Sequence, residues 1–125
     1  MEIRIYYEDT DCGGVVYYAN YLRYFERART EFMRDKGIDL AALMESGCLF
    51  TVSRVEMDYK SPAYYGDLLH ISTEIGGITK ASFSFSHRIE RPRDGKLIVQ
   101  GTAKLVCVNR GGRPTRLPEA IRKNL

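Results

Sequence analysis

Tryptophan is absent from the 125 residues, histidine occurs twice, cysteine three times and proline four times. Each scarcity narrows the function. Cys12, Cys48 and Cys107 are odd in number and none lies in a C-x-x-C pair. A disulfide framework and a zinc ribbon are therefore disfavoured, and a reducing cytoplasm is the expected location. The histidines stand in no His/Asp/Glu cluster of ligand-like spacing, so no metal is expected. A strong charge bias is lacking too: 19 basic and 16 acidic residues leave a formal +3. That is too weak to argue for nucleic acid, although a phosphate-bearing small ligand suits it. No apolar run approaches the ~20 residues of a membrane helix, so no integral membrane segment is expected. The opening MEIRIYYED has neither a basic n-region nor an apolar h-region, which argues against secretion. Repeats, linkers and low-complexity stretches are missing as well. The composition, 44% hydrophobic and 28% charged, suits one soluble domain over residues 1–125 with one modest core.

The pattern along the chain divides into a helical first part and a β-rich second part. EIRIYY reads as a short strand. NYLRYFERARTEFMRDKG reads as a helix, with Tyr21, Phe25, Ala28 and Phe32 on one face and Leu22 and Met33 widening it. Asn20 is its expected N-cap and Gly37 its stop. A shorter helix follows, capped by Asp39 and ended by Gly47. From Cys48 the period changes to two. Phe50 and Val52 share one parity and Val55, Met57 and Tyr59 take the other, which predicts a bulge near Ser53 and Arg54. Three further alternations run through Leu69–Ile75, Ala81–Ile89 and Leu97–Cys107. PEAIRKNL reads as one or two helical turns with Pro118 at the first position. Strands joined by short turns are antiparallel, and one amphipathic helix needs one apolar sheet face. The architecture expected is α+β, a five-stranded antiparallel sheet curled around one long helix. Its exposed edges favour pairing between subunits.

The chemistry concentrates in EDTDCGGVVYYANYL, Glu8 to Leu22. As ordinary turn residues, Asp9 and Asp11 would bond local backbone and the glycines would supply positive φ. A second reading uses the helix that follows. Its N-terminus offers unpaired N–H groups and partial positive charge, suited to a carbonyl whose oxygen becomes negative during acyl transfer. Gly13 and Gly14 would admit close backbone approach, and a nearby carboxylate could attack the carbonyl or activate water.

YEDTDCGGVVYYANYLRYFERART resembles the opening of the 4-hydroxybenzoyl-CoA thioesterase family, and the resemblance is nearest to the bacterial thioesterases associated with the Tol-Pal system. DYKSPAYYGDLL resembles the family's dY-x-x-PA-x-x-x-D segment, and RPTRLPEAI its usual end. The resemblance implies a hot-dog fold, an acyl- or aroyl-CoA substrate, a homodimer or homotetramer, and no cofactor. It places the catalytic aspartate at Asp11 and the carbonyl-polarising N–H at Tyr18, with Gly14 as a supporting residue. Many members carry His where this chain has Tyr18, so an imidazole acid or base is lost and the backbone role is retained. Lys80 resembles the family's nucleotide contact, and Arg113 and Arg116 are further candidates for the coenzyme phosphates.

Other residues carry two readings each. Glu26 is either a helix carboxylate that supports catalysis, as in related hot-dog enzymes, or a partly exposed residue paired with Arg23 or Arg29. Asp9 reads as structural. Cys12 could form a nucleophile pair with His70 or His87, but no local signature supports it. His87 reads as a sheet residue at the core edge and His70 as exposed. The expected function is hydrolysis of an acyl-CoA thioester. The alternative is an acyl-CoA-binding hot-dog protein without turnover, and a weaker one is a dehydratase, which the missing histidine at Tyr18 disfavours.

Overall fold

The computed structural model describes all 125 residues. Strand β1 (Glu2–Arg4) leads through a 3-10 turn (Tyr7–Asp9) and a loop to helix α1 (Asn20–Asp35) and the short α2 (Leu40–Glu45). Strands β2 (Leu49–Tyr59), β3 (Leu68–Gly76), β4 (Ser82–Arg91) and β5 (Lys96–Val108) follow, then α3 (Glu119–Asn124). The five strands form one sheet of order β1-β3-β4-β5-β2, every pairing antiparallel. The first strand is shorter than EIRIYY suggested, because Tyr7 already turns into the 3-10 segment. Sequence neighbours β3, β4 and β5 pair as expected. By contrast β2 does not pair with β3; it crosses to the far side of β5 and becomes an edge.

Helix α1 is the filling of this sheet. Tyr21, Tyr24, Phe25, Ala28 and Met33 are buried, while Phe32 is half-buried. Leu22, expected to widen the face, points away and is exposed, because the buried arc swings toward Tyr24. Asn20 is not the N-cap. Ala19 occupies that position, and the Asn20 amide instead donates to the Asp9 carbonyl at 2.9 Å. Gly37 stops the helix at φ +77, a conformation glycine enters without a Cβ penalty. The cap of α2 is as expected, Asp39 accepting from Ala41 and Ala42 N–H. Pro118 is the N-cap of α3, one place ahead of the expected position.

The core has two parts. One gathers the first half of α1 with Ile3, Ile5, Leu69, Ile71, Ile89, Ile98 and Val99; the other gathers Met33, Ile38, Phe83, Phe85, Leu105, Leu117 and Ile121. Full burial of each such side chain contributes about 1.5–3 kcal/mol. Between the two parts, Phe25 stacks on His87 with ring centres 4.4 Å apart. Gly101 lies opposite both His87 and Met57 in the ladder. A Cβ at Gly101 would stand 2.4 Å from the Glu56 carbonyl oxygen and 3.0 Å from the Phe25 ring, so glycine makes room for helix against sheet. The predicted bulge in β2 is present, with a register shift between Val52 and Arg54. Cys48 and Cys107 are buried free thiols with sulfurs 3.0 Å apart, and burial, then Cys107, pushes the Cys48 thiol up to about 12.

Candidate active site

Antiparallel pairing gives the sheet two ends. At one end lie the start of β2, the end of β3, the start of β4 and the end of β5. At the other lie Tyr59, Leu68, Arg91 and Lys96, together with the loop that enters α1. Asp11, Gly14 and Tyr18 all belong to this second end.

The loop containing Asp11 is a tight hairpin. Thr10 bridges Val16, Asp11 N–H donates to the Val15 carbonyl at 2.9 Å, and Gly14 N–H donates to the Asp11 carbonyl at 3.1 Å. Gly14 sits at φ +82 with nothing near its absent Cβ, so the turn needs its left-handed backbone. The Asp11 carboxylate folds over this turn. Its Oδ1 accepts from Gly13 N–H at 2.8 Å and more weakly from Val15 N–H at 3.4 Å. Its Oδ2 has no donor in the chain, and the residue is exposed. Asp11 thus makes the local Asx bond of an ordinary turn residue and still presents one free carboxylate oxygen. Asp9 is engaged otherwise: Oδ2 accepts from Tyr6 N–H at 2.7 Å, and its carbonyl takes the Tyr17 N–H and the Asn20 amide.

Tyr18 stands one residue before the N-cap of α1. Its N–H has no acceptor within the chain. Its carbonyl accepts from the Tyr59 hydroxyl at 3.2 Å, which ties the end of β2 to the helix start. A cleft of about 310 Å³ opens here between Val15, Tyr18, Tyr21, Tyr59 and Pro62. Burial pushes Tyr21 up to about 12, and burial, then the Tyr18 phenol, moves Tyr59 upward. Both phenols are O–H donors at neutral pH.

The hairpin leans on the segment 62–67. Val16 N–H donates to the Ala63 carbonyl at 2.9 Å and Val15 bridges Tyr64. That segment is pinned from behind by Arg91, 4% exposed, which donates to Asp67 Oδ2 at 2.9 Å and the Pro62 carbonyl at 3.1 Å. Asp67 Oδ2 also accepts the Tyr64 N–H. Asp94 takes the remaining guanidinium edge, and that contact, the largest cause, draws the Asp94 carboxyl down to about 2. Sequence reading missed this support. Asp67 was visible as the last residue of DYKSPAYYGD, but Arg91, 24 positions on, read only as part of a turn.

The other named residues are placed elsewhere. Glu26 is exposed on α1 and accepts from Thr30 Oγ1 at 3.0 Å; it forms no ion pair with Arg23 or Arg29. It faces a different groove, between α1, α2 and the start of β2. Lys80, Arg113 and Arg116 are exposed and enter no ion pair. Backbone bonds cluster them at the first end of the sheet: Leu117 N–H donates to the Lys80 carbonyl, and Asn109 N–H to the Arg113 carbonyl. They are therefore remote from Asp11 in the same chain. Cys12 is exposed and bonds neither histidine. His87 is buried, with Nδ1 3.1 Å from Thr73 Oγ1 and Nε2 unpartnered; His70 is exposed as expected.

Residues 6–125 match the thioesterase-like superfamily. The chain is 39% identical to the acyl-CoA thioester hydrolase YbgC of Escherichia coli O6:H1 over 120 residues, covering 95% of this chain and 89% of that protein. It is also similar to a solved probable thioesterase from Bartonella henselae, at 36% identity and a TM-score of 0.86, covering 94% and 97% of the two chains. A 1,4-dihydroxy-2-naphthoyl-CoA thioesterase from Synechocystis shares the fold at a TM-score of 0.92 and 21% identity, over 99% and 92% of the chains.

Proposed function

The chain belongs to the thioesterase-like superfamily, and from that premise we propose that it hydrolyses acyl-CoA thioesters at Asp11 and Tyr18. A thioester and water are converted to free coenzyme A and a carboxylic acid. The observation that carries this reading is two unsatisfied groups in one loop: the Asp11 Oδ2 without a donor, in the hairpin, and the Tyr18 N–H without an acceptor, just after it. The thioester carbonyl accepts from Tyr18 N–H, which lies just ahead of α1, where the positive end of the helix dipole adds to the polarisation. Asp11 Oδ2 either takes a proton from the attacking water or attacks the carbonyl carbon itself; in the second case the C–S bond breaks, coenzyme A leaves as the thiolate, and water hydrolyses the anhydride that remains. The Gly13 and Val15 N–H groups hold Oδ1 so that the carboxylate keeps one orientation.

One protomer holds the parts of this site at both ends of the sheet, and assembly reconciles them. The β2 edge is 11 residues long and exposes Val52 and Val55, whereas the opposite edge, β1, has only three residues. A long unpaired edge is a template for another strand. Two β2 edges paired antiparallel about a two-fold axis bring the start of β2 in one protomer toward the end of β2 in the other. The basic end with Lys80, Arg113 and Arg116 then adjoins the partner's Asp11 end, where it would hold the coenzyme phosphates. The working unit is a homodimer at least.

Asp11→Asn tests the site. Thiol release from acyl-CoA should fall by roughly 10²–10⁴-fold or more with unchanged secondary structure, and Asp9→Asn should cost less. Retention of near wild-type kcat in Asp11→Asn would remove this mechanism.

A further inference from the structure

Asp11 and Tyr18 belong to one loop, and packing does little to fix the distance between them: Asp11, Cys12, Gly13 and Gly14 are all exposed. Hydrogen bonds have to do it instead. The outgoing strand of the hairpin is fastened by the buried Val16, whose N–H donates to the Ala63 carbonyl at 2.9 Å. The incoming strand, which carries Asp11, is bonded to α1 at one atom, the Asp9 carbonyl oxygen. That oxygen accepts the Asn20 side-chain amide at 2.9 Å and, from within the loop, the Tyr17 N–H at 2.9 Å. Resting on the thioesterase reading above, we propose that Asn20 is a positioning residue, which sets the place of the Asp11 carboxylate relative to the Tyr18 N–H without touching the substrate.

The two donors on the Asp9 carbonyl are not equivalent. Tyr17 is part of the loop and moves with it, whereas Asn20 is the first residue of α1. The turn that follows is anchored in the core by Tyr21, Tyr24 and Phe25, all buried. Asn20 is half-buried, and its own N–H donates to the Tyr17 carbonyl at 2.8 Å. Its backbone thus fixes the helix start while its side chain fixes the hairpin. No other α1 side chain bonds the loop; Thr30 and Arg34 bond Glu26 and Glu31 on the helix itself. The Asp9 carboxylate turns the other way, onto the Tyr6 N–H at 2.7 Å, and holds only its own 3-10 turn.

The geometry also says where a loss would be felt. From Asp9 to Asp11 the chain runs two residues, about 7 Å of extended backbone. Without the Asn20 amide this arm pivots on the Tyr17 bond and carries the carboxylate with it. A misplacement of about 1 Å at a reacting group costs up to roughly 10²-fold. Tyr18 adjoins the anchored helix and keeps its place, so substrate binding is spared and the loss falls on the chemical step.

The test uses the purified full-length protein and thiol release from acyl-CoA. Asn20→Asp puts a carboxylate oxygen where the donor stood, at nearly the same size. An acid in the first turn suits a helix N-terminus, so the fold should be kept, with the urea midpoint lowered by less than about 1 M. We expect kcat to fall by roughly 10–100-fold while KM changes by less than about threefold. Asn20→Ala, which removes the donor and adds no charge, should lose about as much and carries the test if Asn20→Asp unfolds. In an Asp11→Asn background, assayed at raised enzyme concentration, either Asn20 substitution should alter the residual rate by less than about twofold, because no carboxylate is left to misplace. A purely structural role would repeat its full loss there. Wild-type kcat in folded Asn20→Ala, a loss carried by KM, an equal loss with and without Asp11, or unfolding of both Asn20 variants would overturn the inference and leave the thioesterase reading intact. Absence of hydrolysis by the wild type, or near wild-type kcat in Asp11→Asn, would instead remove the reading on which it rests.

Discussion

His87 should act as a built-in acid sensor of stability. It sits on β4 at 3% exposure, sandwiched by the rings of Phe25 and Phe85, with Nδ1 bonded to Thr73 and Nε2 facing no partner. Burial, reinforced by the Arg29 guanidinium, holds its pKa at about 4 instead of 6.5. The unfolded chain therefore takes up the proton first as pH falls. Stability is unaffected above pH ~7, declines from ~6.5 to ~4, and levels off below that. At about 1.4 kcal/mol per pH unit, the full loss is about 3 kcal/mol, with roughly 2 kcal/mol already gone at pH 5. Against a total of about 5–15 kcal/mol for a domain this is a large share. The assay is urea unfolding from pH 8 to 4 for the wild type and for His87→Phe, which keeps the ring stack and cannot titrate. The difference between the two curves cancels every other carboxylate and histidine. It should be flat above pH 7 and bend by about 3 kcal/mol toward pH 4. His70 and His87 are the only histidines, so NMR can follow both directly. A difference curve flat across this range, or a His87 titration near 6.5 in the folded protein, would refute the reasoning.

Three further outcomes follow from named contacts. Arg91→Met strands Asp67 in the interior and should cost about 3–5 kcal/mol, while Arg91→Met with Asp67→Leu recovers much of it; hydrogen exchange at Val16 N–H should quicken in the single variant, because its acceptor Ala63 loses its backing. Gly101→Val forces a Cβ against the Glu56 carbonyl and the Phe25 ring and should destabilise by about 3 kcal/mol or more, read as a lowered urea midpoint. Cys12→Ala should retain thiol-release activity, since Cys12 is exposed and bonds neither histidine; complete loss in a folded Cys12→Ala variant would reinstate a thiol nucleophile.

What could be read from the residue order was whatever depends on near neighbours. Asp39 caps α2 and Gly37 ends α1 because both effects act within one turn of helix. The β2 bulge showed as a parity change between Val52 and Val55, since strand facing alternates residue by residue. The hairpin of Asp11 was legible as acid and glycines before a helix, a local pattern of donors and turn conformations. Only the tertiary structure decided the rest, and in each case the reason is a partner distant in sequence. Asn20 looked like a cap by type, yet the Asp9 carbonyl 11 residues earlier claims its amide. Leu22 was a credible face residue until the sheet set the rotation of α1 and buried Tyr24 instead. Strand order placed β2 at an edge, and the antiparallel register of β2 to β5 set the basic residues and the apolar groove at the end opposite Asp11. Arg91 and Asp67 carry no local sign of each other. Their charges are tolerated in the interior only because the folded chain brings them together, the pairing and its hydrogen bonds offsetting the cost of lost water.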